Sequence, residues 1–476
     1  MDDCVLVLGG GPAGMFCALE LSKAGRMLTV VEKDDCVGGL SRTLDFNFRG
    51  ESWRTDIGPH RFFSKNQYLY GLIKEVLGVE WIKVDRFTRF YVNGRFFKYP
   101  VEIKNALLGV GPYIAFRMGF DYAVEKAKGA LARDEPRSFE DYVVRNFGRT
   151  LGEFNMLNYT EKIWGIPCSR INPDWAVQRI KGLSVYSTLK NAVMKSKDSP
   201  KTLVDQFYYP KNGAGMLYER IGKKVASEGS RILLNSQPER ITHEGGRIMS
   251  VLVKTPDGVE EFSPRQLVSS IPIMKLASLL EPKPPAEVFE ALKKLRYRAL
   301  VCVFILVDRP SVGRDNWVYF PDKTIPFGRV SEMKNFSRVM SPEGKTSLFV
   351  EFFCFEGDDV WNAPDENVFN IAVESLHKTG FLNGRDALKY YVLRIPGAYP
   401  VYDLEYRDNL RKVKDYLNGF ANLQYIGRSG RFKYTNQDHS IEMGILAARN
   451  IIEGAQKYDL EEVGTENDYF EKGYIP

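Results

Sequence analysis

The apolar run from Val5 to Leu8, bounded on its far side by glycines, predicts a short buried strand. Met15, Ala18, Leu19 and Leu21 then recur at helical spacing, and a second apolar run, Leu28 to Val31, predicts another strand. The same patterns predict a helix over Leu217 to Glu228 and strands over Arg231 to Leu234 and Gln266 to Ile271. From Leu423 to Gly454 the pattern reads as a strand followed by a helix. Runs rich in β-branched and aromatic residues, such as Ala299 to Val307 and Ser347 to Phe355, predict antiparallel strands. Residues 101–200 show helical periodicity with few strand signals, and no internal repeat is visible.

The junction between the first strand and helix carries the first chemistry. It reads Gly9-Gly10-Gly11-Pro12-Ala13-Gly14, and Glu32-Lys33 closes the second strand 18 residues after Gly14. In this order each part has a physical role. Gly9 turns the chain, Gly11 lets backbone approach a pyrophosphate, and Gly14 lets the helix pack on the sheet. The helix start offers unpaired N–H groups to phosphate, and Glu32 can accept from a ribose hydroxyl. A dinucleotide site is therefore expected. A second glycine pair follows in Gly38-Gly39-Leu40-Ser41-Arg42, where bare backbone, Ser41 and Arg42 can meet a further phosphate. Next comes Asp56-Ile57-Gly58-Pro59-His60, a strand end leading into a stiff loop that carries a histidine.

A length of 476 residues suggests two or three domains, and 44% apolar with 13% aromatic residues suits a packed enzyme. The net charge of +6 is mild for this size and no lysine run marks a nucleic-acid arm, so no nucleic-acid partner is expected. Six cysteines lie singly, Cys17 and Cys302 within apolar segments. That pattern predicts a reducing, cytoplasmic setting and no structural metal. No leader is expected, because the first strand begins near Cys4, and no apolar run reaches the ~18 residues needed to span a bilayer. The apolar stretch Asn105 to Ala127, with Leu107, Tyr113, Phe116 and Phe120, is expected to be a helix buried in its own domain. Peripheral membrane contact is its alternative. The acidic, turn-rich end after about Tyr458 is expected to be a loose tail.

The stretch from Val5 to Ser64 resembles flavoproteins of the large two-dinucleotide-fold class, which includes amine oxidases and sugar mutases. That resemblance implies FAD, and it places Gln237-Pro238-Glu239 against the adenine. The implied fold class is α/β, with a Rossmann-type FAD-binding domain assembled from residues 1–65, 207–275 and 420–460. A helical domain at 101–200 and an antiparallel-sheet substrate domain from 66–100 and 276–419 complete it, with a tail at 461–476.

Three further motifs narrow the resemblance. They are Asn158-Tyr159-Thr160-Glu161-Lys162-Ile163-Trp164-Gly165 with Trp175 to Arg179; Trp317 to Pro321 with Ile325 to Arg329; and Gly427-Arg428-Ser429-Gly430 through Tyr434 to Ser440. Together they are similar to the UDP-galactopyranose mutase family, in order from Val5 to about Gly454. The resemblance implies that Tyr159 stacks on a uracil with Trp164 in the same pocket, and that Arg179 and Arg329 hold the substrate diphosphate. Tyr319, Tyr399 and Tyr434 would surround that diphosphate, and His60 would face the flavin ring. Gly427, Arg428 and the helix start at Asn436, Gln437, Asp438, Ser440 and Ile441 would lie beneath the flavin, with Gly58 and Pro59 in the loop above. Arginine suits such a diphosphate because its planar, always-charged fork gives bidentate hydrogen bonds.

The implied activity is pyranose–furanose isomerisation of a nucleotide sugar through an adduct at N5 of reduced flavin, with His60, Arg179 and Arg329 as catalytic residues. NADPH or NADH would serve as reductant, FAD would be held non-covalently, and the oligomeric state stays open. Amine oxidases usually carry Gly-Asp where this chain has Gly427-Arg428, as the mutases do. Against the mutase pattern, Pro59 replaces a glycine or alanine and restricts backbone movement in the flavin loop. The alternative is an FAD-dependent oxidoreductase acting on an isoprenoid, a lipid-linked sugar or an amine.

Overall fold

The computed structural model describes residues 5–99, 111–131, 134–179 and 205–465, with the side chains of 129–131, Asn155 and 177–179 outside that description. Five parallel strands form one sheet in the order Leu423–Tyr425, Gln266–Ser269, Val5–Leu8, Leu28–Val31, Arg231–Leu233. Val5–Leu8 and Leu28–Val31 are buried along their whole length, which is why they read as unbroken apolar runs rather than alternating ones. The helices Pro12–Lys23 and Gln437–Glu453 pack on this sheet and on each other. Their approach is so close that a Cβ on Gly444 would lie 2.1 Å from the Ala13 carbonyl oxygen. Helix Gly215–Ser227 packs beside Pro12–Lys23.

A seven-stranded sheet runs in the order Ala387–Pro400, Tyr297–Val307, Thr346–Cys354, Arg329–Glu332, Trp317–Tyr319, Thr88–Val92, Arg95–Lys98. All of its pairings are antiparallel except that of Trp317–Tyr319 with Thr88–Val92. The long strand Tyr297–Val307, second from one edge, is buried on both faces. A four-stranded sheet built on Gln237–Glu244 and Arg247–Thr255 flanks the parallel one.

Asp56, at the end of strand Glu51–Asp56, ties the early segment to the later one. Its carboxylate accepts from Thr43 Oγ1 (2.6 Å), Tyr209 OH (2.6 Å) and the Ala214 N–H (3.1 Å). Burial pushes this carboxyl up to about 7, partly opposed by those donors.

Two expectations need correction. Helix Pro112–Leu131 exposes Tyr113, Phe116 and Phe120 and buries Met118, so its aromatic face is not taken into its own domain. Residues 105–110 of the predicted stretch lie outside the described residues. The chain from Tyr458 to Val463 is docked rather than loose. Leu460 and Val463 are buried, Glu461 pairs with Lys414 at 2.6 Å and with Arg431, and Lys433 Nζ donates to the Glu461 and Val463 carbonyls. The acidic residue that gives this segment a solvated look is the one that anchors it.

Candidate flavin and substrate site

The glycines of the first turn are demanded by contact. A Cβ on Gly14 would sit 2.0 Å from the Gly9 carbonyl oxygen, so the helix could not start where it does with any side chain there. Gly11 precedes Pro12 as a helix cap without side-chain hydrogen bond, which leaves the helix start open to a ligand. Glu32 Oε2 accepts from the Gly10 N–H at 2.7 Å and Oε1 from the Asp34 N–H at 3.0 Å. Burial raises the Glu32 carboxyl, and these two donors oppose the rise. Lys33 is exposed.

Gly39-Leu40-Ser41 forms one tight turn directly against this loop, and a Cβ on Gly39 would lie 3.1 Å from Gly11 Cα. Two bare backbones thus face each other at the carboxyl ends of parallel strands, a cradle that a Cβ would fill and that suits a pyrophosphate. Arg42 does not complete it, because its guanidinium pairs with Asp34. Pro238 is buried on the strand that follows Asn235 and Ser236, whose N–H groups donate to the Asp34 and Glu32 carbonyls. On the opposite side Gly427 packs against Ala13, and a Cβ there would lie 3.0 Å from the Ala13 Cβ. Asn436 precedes helix Gln437–Glu453 without capping it through its side chain. Gln437 donates to Tyr218 OH, Asp438 and Ile441 are buried, and Ser440 Oγ lies 3.0 Å from Thr435 Oγ1.

The loop after strand Glu51–Asp56 meets Arg329 and Glu351 at Gly58. With φ of +92°, Gly58 turns the chain where a Cβ would come 3.2 Å from Arg329 NH2 and 3.4 Å from Glu351 Oε1. Arg329 donates from Nε and NH2 to the two Glu351 oxygens, each at 2.6 Å. Burial works against the guanidinium charge, but the Glu351 carboxylate more than offsets it and holds the group above its ordinary value. Sequence reasoning misses Glu351; a carboxylate inside the apolar run Leu348-Phe-Val-Glu-Phe-Phe is the available signal.

Tyr159 and Tyr399 lie near this pair, Tyr319 faces Arg329 across the strands, and Tyr434 stands behind Tyr399. Tyr159 meets Tyr319 edge-on at 5.2 Å, and Tyr399 stacks on Tyr434 at 5.7 Å. Arg428 lies over both rings of the second pair, 5.2 and 5.0 Å from their centroids, while its Nε donates to the Thr435 carbonyl. Burial, countered by Arg329, leaves Tyr399 raised to about 12, and burial raises Tyr159 well above its ordinary value. Both therefore remain neutral hydroxyl donors at physiological pH.

Two predicted residues fall differently, and a third cannot be placed by its side chain. Trp164 is 1% exposed, edge-on to Trp175 at 4.7 Å and backed by Tyr402 and Tyr434. It supports the tyrosine wall from behind instead of lining a pocket. His60 Nε2 donates to the Ile57 carbonyl at 2.9 Å, and Nδ1 lies 3.5 Å from Ser41 Oγ. Burial, followed by Arg428, pulls its pKa down to about 4. With that N–H held by the backbone, the neutral ring has Nδ1 left as an acceptor toward Ser41 Oγ. Arg179 ends helix Asp174–Arg179, and its side chain lies outside the described residues. Among the described residues no cluster of metal-ligating side chains occurs, and no helix is long and apolar enough to cross a membrane.

A model of flavin-containing amine oxidoreductases matches residues 12–452. The chain belongs to that family. This flavoenzyme is also similar in fold to a crystal structure of reduced UDP-galactopyranose mutase, with a TM-score of 0.81, 23% identity, and 98% of this chain and 96% of that one covered. A probable UDP-galactopyranose mutase of Klebsiella pneumoniae is 24% identical over 174 residues, a match spanning 35% of this chain and 42% of the relative. An L-amino-acid oxidase of Siganus canaliculatus is 23% identical, covering 94% of this chain and 85% of the oxidase. The family and the structural neighbour imply FAD as cofactor.

Proposed function

We propose that this flavoenzyme is UDP-galactopyranose-mutase-like and interconverts the pyranose and furanose forms of a nucleotide sugar. The observation that carries this reading is Arg329: a half-buried, charged guanidinium against the Gly58 loop, fixed by Glu351, opposite Tyr319 in strand register and close to Tyr159 and Tyr399. Such a site offers charge and phenol hydroxyls to a diphosphate, whereas a small amine would meet an unfavourable like charge.

In this reading 1–65, 207–275 and 420–460 hold FAD, through the Gly9–Gly14 turn, Glu32, the Gly39–Ser41 turn and the 436–441 helix start. FAD, when bound and reduced, supplies a nucleophilic nitrogen for the anomeric carbon, so that ring size can change without net oxidation. The helical part from 101–200 and the seven-stranded sheet supply the nucleotide pocket. Arg329, with Arg179 as its expected partner, would bind the diphosphate and stabilise it as it leaves and returns. Glu351 occupies two donors of Arg329 and leaves the outer NH1 edge for substrate. The neutral tyrosines donate to phosphate oxygens, and Tyr159 offers a face to the base. His60 would orient the loop between Ile57 and Ser41. NADPH or NADH is the proposed reductant and the cytoplasm the proposed location.

The second reading, an FAD-dependent oxidoreductase, draws on the near full-length likeness to an L-amino-acid oxidase and on Pro59. One experiment separates the two. Purified protein is reduced with dithionite, mixed with UDP-galactose and analysed by chromatography for a furanose product. No product, together with bleaching of the oxidised flavin by an amine or amino acid in air-free buffer, would reject the mutase reading.

A further inference from the structure

Helix Leu157–Trp164 carries Tyr159, and one turn later, on the same side, Lys162. The Lys162 ammonium does not pair with a carboxylate. It donates to four backbone carbonyls: Phe320 and Asp322 at 2.6 Å, Ile325 at 2.7 Å and Phe327 at 3.3 Å. All four belong to the loop joining strand Trp317–Tyr319 to strand Arg329–Glu332, so the residues at its two ends are Tyr319 and Arg329. We propose that Lys162 is a positioning residue, a cationic pin whose carbonyl cage fixes Tyr319 and Arg329 against the helix that bears Tyr159. The proposal rests on the reading of this pocket as a nucleotide-diphosphate site.

The chemistry of the cage calls for a cation. An ammonium has three N–H donors to share among four oxygens, whereas a neutral amine would turn its lone pair toward one of them. Burial works against this charge, and the Asp322 carboxylate supports it. The Asp322 carboxylate is itself occupied by the N–H groups of Asn93 and Thr324.

The rest of the loop supports the same role. Its base is closed by Phe320 N–H to the Gly328 carbonyl and Gly328 N–H to the Glu351 carbonyl, both at 2.9 Å. Phe320 and Phe327 are buried and meet edge-on at 4.8 Å. The C-terminal turn of this helix has a second anchor beside Lys162. Arg298 Nε donates to the Ile163 carbonyl at 2.7 Å, and a Cβ on Gly165 would lie 2.5 Å from its NH1. With the helix fixed by Arg298 and the loop fixed by Lys162, three groups on separate elements keep one spacing, and misplacing such groups by ~1 Å can cost ~100-fold in turnover.

The test uses the FAD-loaded enzyme and UDP as probe. Lys162→Met keeps the stem and removes the charge; Lys162→Ala leaves room for propylammonium, which replaces the atoms removed. FAD content should be unchanged in both variants, because the flavin cradle is elsewhere. Amides of 320–328 should exchange hydrogen about tenfold faster, and the Kd for UDP should rise about tenfold, from lost charged hydrogen bonds. Propylammonium should reverse both changes in Lys162→Ala and neither in Lys162→Met. Unaltered exchange in both variants would overturn the pin, whatever happens to UDP. Faster exchange with unaltered UDP affinity would overturn the positioning role. Wild-type enzyme that does not bind UDP would refute the nucleotide reading instead, and exchange with amine rescue would then decide whether Lys162 holds the loop.

Discussion

Arg329 and Glu351 face each other directly across neighbouring antiparallel strands, and their side chains close a bidentate ion pair with both contacts at 2.6 Å. Glu351 is fully buried, so the pair is satisfied only as a unit. Removing one partner leaves an uncompensated buried charge, which costs about 3–5 kcal/mol. Glu351→Ala should therefore lower the thermal midpoint strongly. The double variant Arg329→Leu/Glu351→Leu should recover much of that loss while losing UDP binding. Calorimetry of the three proteins with and without UDP checks both statements. A double variant that still binds UDP as wild type does would remove Arg329 from the substrate site.

His60 leads to a kinetic expectation. A pKa of about 4 and an N–H held by the Ile57 carbonyl leave the ring neutral throughout the physiological range. No limb attributable to this residue should appear near pH 6.5, the ordinary histidine value, in the profile of kcat. His60→Ala should still bind FAD, measured by the flavin absorbance of the purified protein, but should lose most turnover because the loop is no longer tied to Ser41. If the wild-type profile has a limb at that ordinary value that vanishes in His60→Gln, the ring is a proton carrier after all.

The first glycine turn can be read from the chain because local geometry imposes it: the Cβ that Gly14 lacks would meet the carbonyl of Gly9, in the same turn. Glu351 cannot. Alternating residues on an antiparallel strand face opposite sides, and a single carboxylate there reads as the solvent side; its partner lies 22 residues away, across a hairpin. Trp164 escapes for the converse reason, since an aromatic beside a motif tyrosine gives no sign of which face Trp175 and Tyr402 will cover. The Tyr458–Val463 segment looks solvated because composition does not reveal that Lys414, Arg431 and Lys433 converge on one spot. Long-range pairings of charge are what the one-dimensional pattern hides.

Asp56 gives a pH dependence of stability. Its carboxyl lies at about 7 in the fold against 3.8 when unperturbed, so between these values the folded chain holds a proton that the unfolded chain has released. Stability contributed by this group therefore falls as pH rises from about 4 to 7. Asp56→Asn cannot ionise and keeps a neutral hydrogen-bonding head among Thr43, Tyr209 and Ala214. Relative to wild type, the variant should gain stability steadily as pH is raised through that window, in urea titrations at several pH values. A constant difference would mean that Asp56 is already ionised in the fold at the acid end of the window.

Gly58 and Pro59 can be separated by substitution. A Cβ on Gly58 would stand 3.2 Å from Arg329 NH2 and 3.4 Å from a Glu351 oxygen, at a φ of +92° that side chains rarely adopt. Gly58→Ala should push the ion pair away from the loop and weaken UDP binding while sparing FAD, whose proposed cradle is at Gly9–Gly14 and Gly39. Pro59→Gly does the opposite, adding an N–H and freeing φ without crowding the arginine. If the proline restrains a backbone movement coupled to flavin reduction, Pro59→Gly should raise mutase turnover of the dithionite-reduced enzyme and shift its flavin potential. Equal turnover and equal potential in the variant would remove the loop proline as a reason to favour oxidoreductase chemistry.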